Sequence, residues 1–219
     1  MIISVGHFVV KSALFPGKNC LVIGAAHPIG RAMCLRLVDQ GGFVIAVDSD
    51  EDAVQDLASL RSDRIAPLAM SLADCDGLDH LAAHWADDPL HVLVMAQALN
   101  GAADLGATLT SIEHTTKSLA SALADSDGAA LVLFAVPDEG GKASGRAAAA
   151  ALATLTGDLA ATGVRINALM LHSAALQSGA FDQICTTAMM MALPMARAVS
   201  GSVLPVGRHG LRLNASPAE

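Results

Sequence analysis

The chain is poor in the side chains that bind nucleic acids. It has no tyrosine, one tryptophan and five phenylalanines, and only 16% of its 219 residues are charged. Its formal net charge is −8, and lysine and arginine form no run. Phosphate binding needs clustered positive charge, and base stacking needs exposed aromatic rings. We therefore expect no nucleic-acid partner.

A membrane-length hydrophobic run is also missing, although 53% of the residues are hydrophobic. A spanning helix needs roughly 20 mainly apolar residues. The longest uncharged stretch, residues 166–181, is interrupted by Asn167, His172, Ser173, Gln177 and Ser178. The first ten residues are apolar but lack a basic region and a small-residue cleavage site, so we do not interpret them as a secretory signal. We expect no membrane partner, and a lead-in at residues 1–17 that packs on the sheet or is loosely ordered.

The remaining composition predicts one cytoplasmic domain. At 219 residues the chain can fill a single α/β core, which we place at residues 18–219 because no linker divides it. The four cysteines are scattered without a pairing pattern. Reduced thiols in the core of a cytoplasmic protein are the simplest interpretation. The cysteines are Cys20, Cys34, Cys75 and Cys185.

Residues 19–48 have the pattern of a nucleotide-binding βαβ unit. An apolar strand leads to a turn containing Gly24, and a helix with an apolar stripe follows. A second apolar strand then ends at Asp48. In such a unit the turn approaches a pyrophosphate, Gly30 lets the helix pack on the sheet, and the acid accepts from a ribose hydroxyl.

Alternating strands and helices continue along the chain. Helices are predicted at residues 28–40, 51–60, 74–85, 107–123 and 143–161, and in the methionine-rich segment before the last strand. Pro67 removes a ladder donor, so its strand should lie at a sheet edge. The pattern predicts a doubly wound, Rossmann-like α/β fold with one seven-stranded parallel sheet covered on both faces. The predicted strands are residues 19–23, 43–47, 64–70, 91–96, 130–135, 165–169 and 203–206.

From Lys18 to about Gly210 the chain resembles the short-chain dehydrogenase/reductase family. That family opens with T-G-x-x-x-G-x-G, where residues 23–30 read I-G-A-A-H-P-I-G. Residues 163–168, G-V-R-I-N-A, resemble its G-I-R-V-N-A, and residues 200–206, S-G-S-V-L-P-V, resemble its T-G-Q-V-L-x-V. The strand at residues 90–94 resembles the one before N-N-A-G, although the motif itself has become M-A-Q-A.

The resemblance implies a site for NAD rather than NADP, because Asp48 matches the acid that accompanies NAD. Pro28 opposes this prediction, since it stands at the middle glycine of the fingerprint and offers no N–H to a phosphate. The alternative is that Gly24 and Gly30 serve only packing and that Asp48 is a solvated loop acid. The implied cofactor contacts are Gly24, His27, Ile29, Gly30, Asp48, Leu72 and Ala96.

The chain departs from the family where the chemistry should be. Counting back from Gly163 places the family's catalytic tyrosine at Gly141 and its lysine at Gly145. With no tyrosine anywhere in the chain, a shifted alignment cannot restore the acid/base. The fifth strand ends without the usual serine, and no asparagine lies between residues 101 and 166 to hold a relay water. The resemblance therefore implies a catalytically degenerate member.

Four nearby side chains are candidates to replace the missing catalytic residues. Lys142 and Ser144 flank the emptied position, while His27 and His172 are predicted on loops at the carboxyl ends of strands. A histidine titrates near neutral pH and could transfer protons. Without a substrate pose, surface or loop residues with no catalytic role are the simpler interpretation.

Two further sequence patterns indicate structural roles and not a binding site. His80 and His84 have the four-residue spacing of a helical metal site, but the apolar positions of that helix, Leu78, Leu81 and Trp85, turn both histidines outward. We therefore predict no metal. The methionines at 189–191 and 195 could line a pocket, but they suit an irregular core gap or a partner surface better.

The alanine-rich helix at residues 146–161 is apolar all round and so needs cover on more than one side. The resemblance implies that this helix and the helix at residues 107–123 pair with their copies in a four-helix interface. We therefore expect a homodimer or homotetramer.

Two hypotheses for the function follow. The first is a degenerate family member that keeps the fold, and perhaps a nucleotide, and acts through assembly or ligand binding. The alternative is a working NAD(P)-dependent oxidoreductase of a small carbonyl or alcohol that uses a non-standard acid/base.

Overall fold

The structure is a computed structural model. It describes residues 13–71, 75–85, 88–99, 104–136, 141–172, 176, 181–207 and 210–211. At the element ends 75, 84, 136, 141–144, 172, 207, 210 and 211 it describes the backbone alone. The predicted lead-in therefore lies mostly outside the described residues, and so does Leu72.

A single sheet runs through the domain. Its first seven strands are parallel, which confirms the predicted seven-stranded parallel sheet. An eighth short strand, which was not predicted, pairs antiparallel with the seventh, and the order is β3-β2-β1-β4-β5-β6-β7-β8. The strands are β1 (Asn19–Ile23), β2 (Phe43–Asp48), β3 (Ile65–Ala69), β4 (Val92–Met95), β5 (Ala129–Val136), β6 (Ile166–His172), β7 (Ser202–Gly207) and β8 (Gly210–Leu211).

Helices cover both faces, as predicted. On one face α1 and α7 pack side by side, with Ile29 and Ile184 in a shared core. On the other face α3 packs on α4 and α4 on α6, with Leu78, Ile112 and Leu152 in the core. The helices are α1 (Pro28–Asp39), α2 (Glu51–Ser59), α3 (Cys75–His84), α4 (Leu105–Ser118), α5 (Ala120–Asp125), α6 (Gly141–Ala161) and α7 (Phe181–Ala192).

The single helix predicted at residues 107–123 is wrong, because the chain breaks it into α4 and α5 at Leu119. The backbone of Leu119 leaves the helical region, with φ −99° and ψ 6°. One turn earlier the Thr116 hydroxyl donates to the Ile112 carbonyl at 2.8 Å. Threonine bonding of this kind competes with the backbone ladder and bends helices, and the apolar pattern does not report it.

Two other local predictions are confirmed, the edge position of Pro67 and the buried free thiols of the described cysteines. Pro67 lies in β3, which is the edge strand next to β2. The thiols of Cys20, Cys34 and Cys185 are free and buried, and burial raises the pKa of the Cys20 thiol to about 12. Among the helices of the described ranges, none is long and apolar enough to cross a bilayer.

Candidate functional site

The candidate site is the crevice at the carboxyl ends of β1, β2 and β4. Strand order reverses at β1, which lies between β2 and β4. Open α/β sheets bind ligands at such a switch point, because the two following helices leave on opposite faces and a gap opens between them. The glycine turn predicted as a cofactor site, residues 24–27, lies here and leads directly into α1.

Gly24 and Gly30 are both required by packing. Gly24 has a φ of +85°, and a Cβ on it would lie 2.5 Å from the Gln97 backbone nitrogen. A Cβ on Gly30 would lie 2.1 Å from the Gly24 carbonyl oxygen. Ala96, another predicted cofactor contact, is fully buried behind the turn, and its N–H donates to Ile23 at 2.7 Å. Both glycines would therefore be needed with or without a cofactor.

Asp48 is not the solvated loop acid of the alternative interpretation. Only 5% of it is exposed, at the end of β2. Its carboxylate accepts from the Ala26 N–H at 2.9 Å and from the Asp50 N–H at 3.3 Å. A carboxylate has about four acceptor positions, so it can still receive a ribose hydroxyl. In this structure the acid ties the glycine turn to the end of the neighbouring strand.

The glycine turn uses most of its own backbone donors. The N–H groups of Gly24 and Ala25 go to the Val47 carbonyl, and that of His27 goes to Gly24. The Ala26 N–H donates to the Asp48 carboxylate, as described above. The N–H groups of the four consecutive residues 24–27 therefore all donate within the protein. A pyrophosphate would have to be held by the helix start that follows.

The first turn of α1 has little left to offer an anion. Pro28 is its first residue and has no N–H. The Ile29 N–H donates to Nδ1 of His27 at 3.2 Å, and the Arg31 N–H donates to the His27 carbonyl. Among the described residues, Gly30 has the one N–H of this turn without an acceptor. The Ile29 side chain is itself fully buried in the core.

His27 is the N-cap of α1 and is therefore a poor replacement catalyst. Its Nδ1 must stay unprotonated to accept from Ile29. Burial lowers the pKa of His27 below its ordinary value, against a smaller opposing influence of Asp48. The helix cap explains this histidine without any catalytic role.

Stability should fall as the pH drops below neutral, because His27 and His91 are held in their neutral forms. Nδ1 of His91 accepts from the Asn19 N–H at 3.2 Å, and burial followed by the nearby Lys18 lowers its pKa. Each folded-state pKa lies below the ordinary value of 6.5, so below that pH the unfolded chain binds more protons than the folded one. The stability that the two neutral histidines contribute is therefore fully present above pH 6.5. It is lost as the pH falls toward their folded-state pKa values.

Urea unfolding between pH 7.5 and 5.5 measures this dependence. Replacing both histidines by asparagine, which keeps a side-chain acceptor, should flatten the profile. The two sites lie at opposite ends of β1, so the single variants should each remove part of the slope additively. A profile as steep in the double variant as in the wild type would contradict the assignment.

The predicted catalytic positions lie at the start of α6. Gly141 is its first residue, and Gly145 follows one turn later. Neither residue has a side chain, so neither can transfer a proton. The side chains of Lys142 and Ser144 lie outside what the structure describes. His172, predicted on a loop, is instead the last residue of β6, opposite Val136 of β5.

Sequence reasoning missed Gln97, which follows β4 in a single 3₁₀ turn. Both atoms of its side-chain amide are buried, and neither has a partner among the described residues. A buried amide left unpaired costs about 1–3 kcal/mol per group. The only sequence signal was the replacement of alanine by glutamine in the family's N-N-A-G. Among the described residues, Gln97 is the one beside the glycine turn whose buried side-chain polar atoms have no partner.

The motif at residues 163–168 holds the fold together rather than a ligand. The Arg165 guanidinium donates to the carbonyls of Met191, Ala192 and Leu193 at 3.0–3.1 Å. The Asn167 amide donates to the Val199 carbonyl at 2.8 Å and accepts from the Ser202 N–H at 3.1 Å. These bonds fix the end of α7 and the start of β7, which explains both polar residues of the motif.

No group of three or more histidine, cysteine, aspartate or glutamate side chains is placed to hold a metal ion in the part of the chain that is described. His80 is exposed on α3, as predicted, while the side chain of His84 falls outside the description.

The site fits a dinucleotide only in part. Asp48 has acceptor positions at the end of β2 that the protein does not use. The pyrophosphate position is where the fit fails, because Pro28 and the His27 cap remove the donors that a phosphate needs. The structure thus keeps the shape of a nucleotide site and lacks much of its anion-binding chemistry.

Comparison with known proteins agrees with this architecture. A structure of the citronellol catabolism dehydrogenase AtuB of Pseudomonas aeruginosa PAO1 superposes with a TM-score of 0.72 at 18% identity, covering 90% of this chain and 96% of that one. A short chain dehydrogenase structure from Escherichia coli CFT073 gives 0.73 at 17% identity, covering 89% and 98%. At these identities the likeness concerns the fold. No curated protein sequence matches the chain.

The family model for short chain dehydrogenases, whose members use NAD or NADP, matches residues 18–127, just over half of the chain. The matched range contains the glycine turn, Asp48 and the first four strands of the sheet. This chain belongs to the short chain dehydrogenase family.

Proposed function

We propose that this protein is a catalytically degenerate short chain dehydrogenase that binds NAD weakly, does not turn it over and acts through assembly. The observation that carries the proposal is that the chain has no tyrosine and has glycines, Gly141 and Gly145, at the positions that the resemblance assigns to the catalytic tyrosine and lysine. General acid–base catalysis contributes about 10²–10⁴-fold to a rate and needs a side chain within hydrogen-bonding reach of the substrate. Neither glycine can provide one.

The anion-binding chemistry supports weak binding. A hydrogen bond to a charged group contributes about 1.5–3 kcal/mol, and the start of α1 has lost two such donors, at Pro28 and Ile29. Each loss corresponds to about a tenfold or larger weakening. Asp48 accepts two N–H groups of the protein and keeps other acceptor positions unused, which supports some remaining affinity.

Titration with NAD⁺ and NADH tests the proposal. If the Kd is about 1 mM, 1 mM ligand stabilises the fold by about 0.4 kcal/mol, which raises the Tm by roughly 1–2 °C. Nicotinamide fluorescence should show no turnover with panels of carbonyls and alcohols. Turnover of any panel compound would overturn the proposal in favour of a non-standard oxidoreductase, and saturation in the micromolar range would overturn the weak-binding part.

Replacing Pro28 tests whether the missing N–H at the helix start limits NAD binding. Pro28→Ala restores an N–H at the helix start and should tighten NAD binding about tenfold without creating turnover. Pro67→Ala, in the edge strand β3 away from the site, is the matched control and should leave the affinity unchanged. Equal affinities for both variants would show that the missing donor does not limit binding.

The assembly part of the proposal rests on α6. Its inner face, with Ala148 and Leu152, is buried against the sheet and α4. Its outer face presents Ala150, Ala153 and Gly157 to solvent in the single chain, and a Cβ on Gly157 would meet nothing within 4 Å. Small side chains allow two helices to approach closely. We infer that this face packs on its copy in a homodimer.

An arginine in the middle of that face should separate the subunits. Ala153→Arg introduces an unpaired charge into a tightly packed contact, which is strongly unfavourable. Size-exclusion chromatography with light scattering should show the wild type at twice the 22.2 kDa monomer mass and the variant at the monomer mass. Gln55→Arg, on the exposed face of α2, is the control and should stay dimeric. A dimeric Ala153→Arg variant would place the interface elsewhere.

A further inference from the structure

One face of the sheet is incompletely covered at the amino-terminal ends of β1, β2 and β3. Phe43 and Ile45 lie on this face of β2, and Ala66 of β3 is the partner of Ile45. Phe43 is 44% exposed and Ala66 is exposed as well. All three line an open cleft of about 390 Å³, whose far wall is Leu81 of α3. Parallel sheets are normally covered on both faces, so this apolar surface lacks a cover among the described residues.

The nucleotide crevice does not account for this cleft, because ligands of open α/β sheets bind at the opposite, carboxyl ends of the strands. The chain itself enters the sheet here. Ala13 is the first residue that the structure describes, and a Cβ on Gly41 would lie 3.2 Å from the Ala13 Cβ. The Gly41 carbonyl accepts from Arg64 at 3.3 Å, and Arg64 lines the cleft. The segment that precedes Ala13 therefore starts beside the cleft.

The segment at residues 1–12 is long enough to cross the cleft. Neighbouring strands are about 4.8 Å apart, so β1 and β3 are separated by roughly 10 Å. An extended chain advances about 3.3 Å per residue, and the five steps from Ala13 back to Phe8 can span roughly 16 Å. Phe8, Val9 and Val10 are thus within reach of the exposed strand ends.

The composition of the segment matches the cleft. Residues 1–12 read M-I-I-S-V-G-H-F-V-V-K-S, which is mainly apolar and contains no aspartate or glutamate. Lys11 is their one lysine or arginine. The cleft lining has the opposite formal charge, because Asp63 and Asp88 outnumber Arg64. The segment and the cleft therefore complement each other both in apolar surface and in charge.

We propose that residues 1–12 are the cover of this cleft, with the apolar side chains from Phe8 to Val10 on the exposed face of β2 and β3 and Lys11 at the acidic rim. The contact is made within one chain. It requires neither NAD nor the α6 interface, and it completes the second layer of the sheet at the edge where the domain begins.

A disulfide link in the full-length protein tests the position of the segment. His7→Cys places a thiol next to Phe8, and Ser62→Cys places one on the cleft lining. Gln55→Cys, on α2 at the other face of the sheet, replaces Ser62→Cys in the control. After oxidised glutathione and trypsin, mass spectrometry measures the linked peptides. Residues 1–11, 62–64 and 37–61, which trypsin releases, contain no native cysteine.

The linked fraction should be about tenfold higher for the pair 7 and 62 than for the pair 7 and 55, because docking raises the effective concentration of the two thiols. The linked protein should run at the monomer mass on a denaturing gel. Equal fractions for the two pairs would overturn the proposal. A link that joins two chains would also overturn it, and would assign the cleft to the segment of a second copy.

A charge in the segment gives an independent test. Phe8→Asp removes the largest apolar contact of the cover and should lower the Tm by roughly 3–8 °C. Met195→Asp is the control, because Met195 is 80% exposed, and it should change the Tm by less than about 2 °C. A Phe8→Asp protein with the Tm of the wild type would show that the segment does not pack on the sheet.

Discussion

Gly30→Ala should abolish stable folding or destabilise the protein by about 4 kcal/mol or more, at the upper end of single-residue effects. The added methyl carbon would lie 2.1 Å from the Gly24 carbonyl oxygen and 3.2 Å from the Ala25 Cα. Both neighbours are backbone atoms, and the Gly24 and Ala25 amides are in turn bonded to Val47. Neither can move without breaking the join between β1, β2 and α1.

Urea unfolding followed by circular dichroism measures the loss, against a total stability that is commonly about 5–15 kcal/mol. Gly157→Ala is the matched control, because an added Cβ meets nothing within 4 Å in the middle of α6. Because Gly157 lies on the face proposed to pair with its copy, both substitutions are compared in the monomeric Ala153→Arg background, where Gly157→Ala should stabilise the protein by about 0.5–1 kcal/mol through helix propensity. A Gly30→Ala protein within 1 kcal/mol of the wild type would refute the packing argument.

This expected result bears on the function. The survival of Gly24 and Gly30 in the fingerprint is usually a sign of dinucleotide binding. Here close backbone contacts require both residues even in a protein that binds nothing. Only the fingerprint positions without a packing role indicate whether a phosphate is bound. The middle glycine is such a position, and this chain has Pro28 there.

Arg165→Met should destabilise the protein by about 3 kcal/mol, the second large effect. Arg165 is 9% exposed, and its guanidinium donates to four backbone carbonyls, those of Asp127, Met191, Ala192 and Leu193. Met191 and Ala192 end α7, where carbonyls have no intrahelical partner, whereas the Leu193 carbonyl also accepts from the Ala196 N–H at 3.0 Å. Removing the guanidinium leaves the Met191 and Ala192 carbonyls without a donor, at about 1–3 kcal/mol for each group that water cannot reach.

Two controls separate the carbonyl contacts from charge. Arg165→Lys keeps a positive charge but has a single ammonium that cannot span the four carbonyls, so it should lose most of the same stability. Arg197→Met removes the exposed ion pair with Asp127 and should cost less than about 1 kcal/mol. Thermal unfolding of the three variants checks the order. Equal losses for Arg165→Met and Arg197→Met would mean that charge, and not carbonyl capping, explains the effect.

The predicted fold followed from features that are local in the sequence. Continuous apolar runs such as residues 43–47 predict strands buried on both faces, and Pro67 marked the edge strand. Helix boundaries were predicted within a few residues except where side-chain chemistry intervened, as at Leu119. The eighth strand was not predicted, because two residues are too few to show a periodic pattern.

The candidate site was predictable only where a residue type alone excludes a function. Because the chain has no tyrosine, no conformation can supply the tyrosine that the family uses as acid/base. Asp48 was different, because a solvated acid and a buried acid have the same sequence. Its carboxylate accepts from the N–H of Ala26, 22 residues earlier, which reaches it only when β1 and β2 are paired.

The sequence by itself thus determined the βαβ unit, the parallel sheet and the edge position of β3, since each depends on residue type or short-range periodicity. Only the tertiary structure decided that the N–H groups of the glycine turn are used within the protein and that Arg165 caps α7. The physical reason is that hydrogen-bond partners come from segments far apart in the chain. Strand order, and not local sequence, brings those segments together.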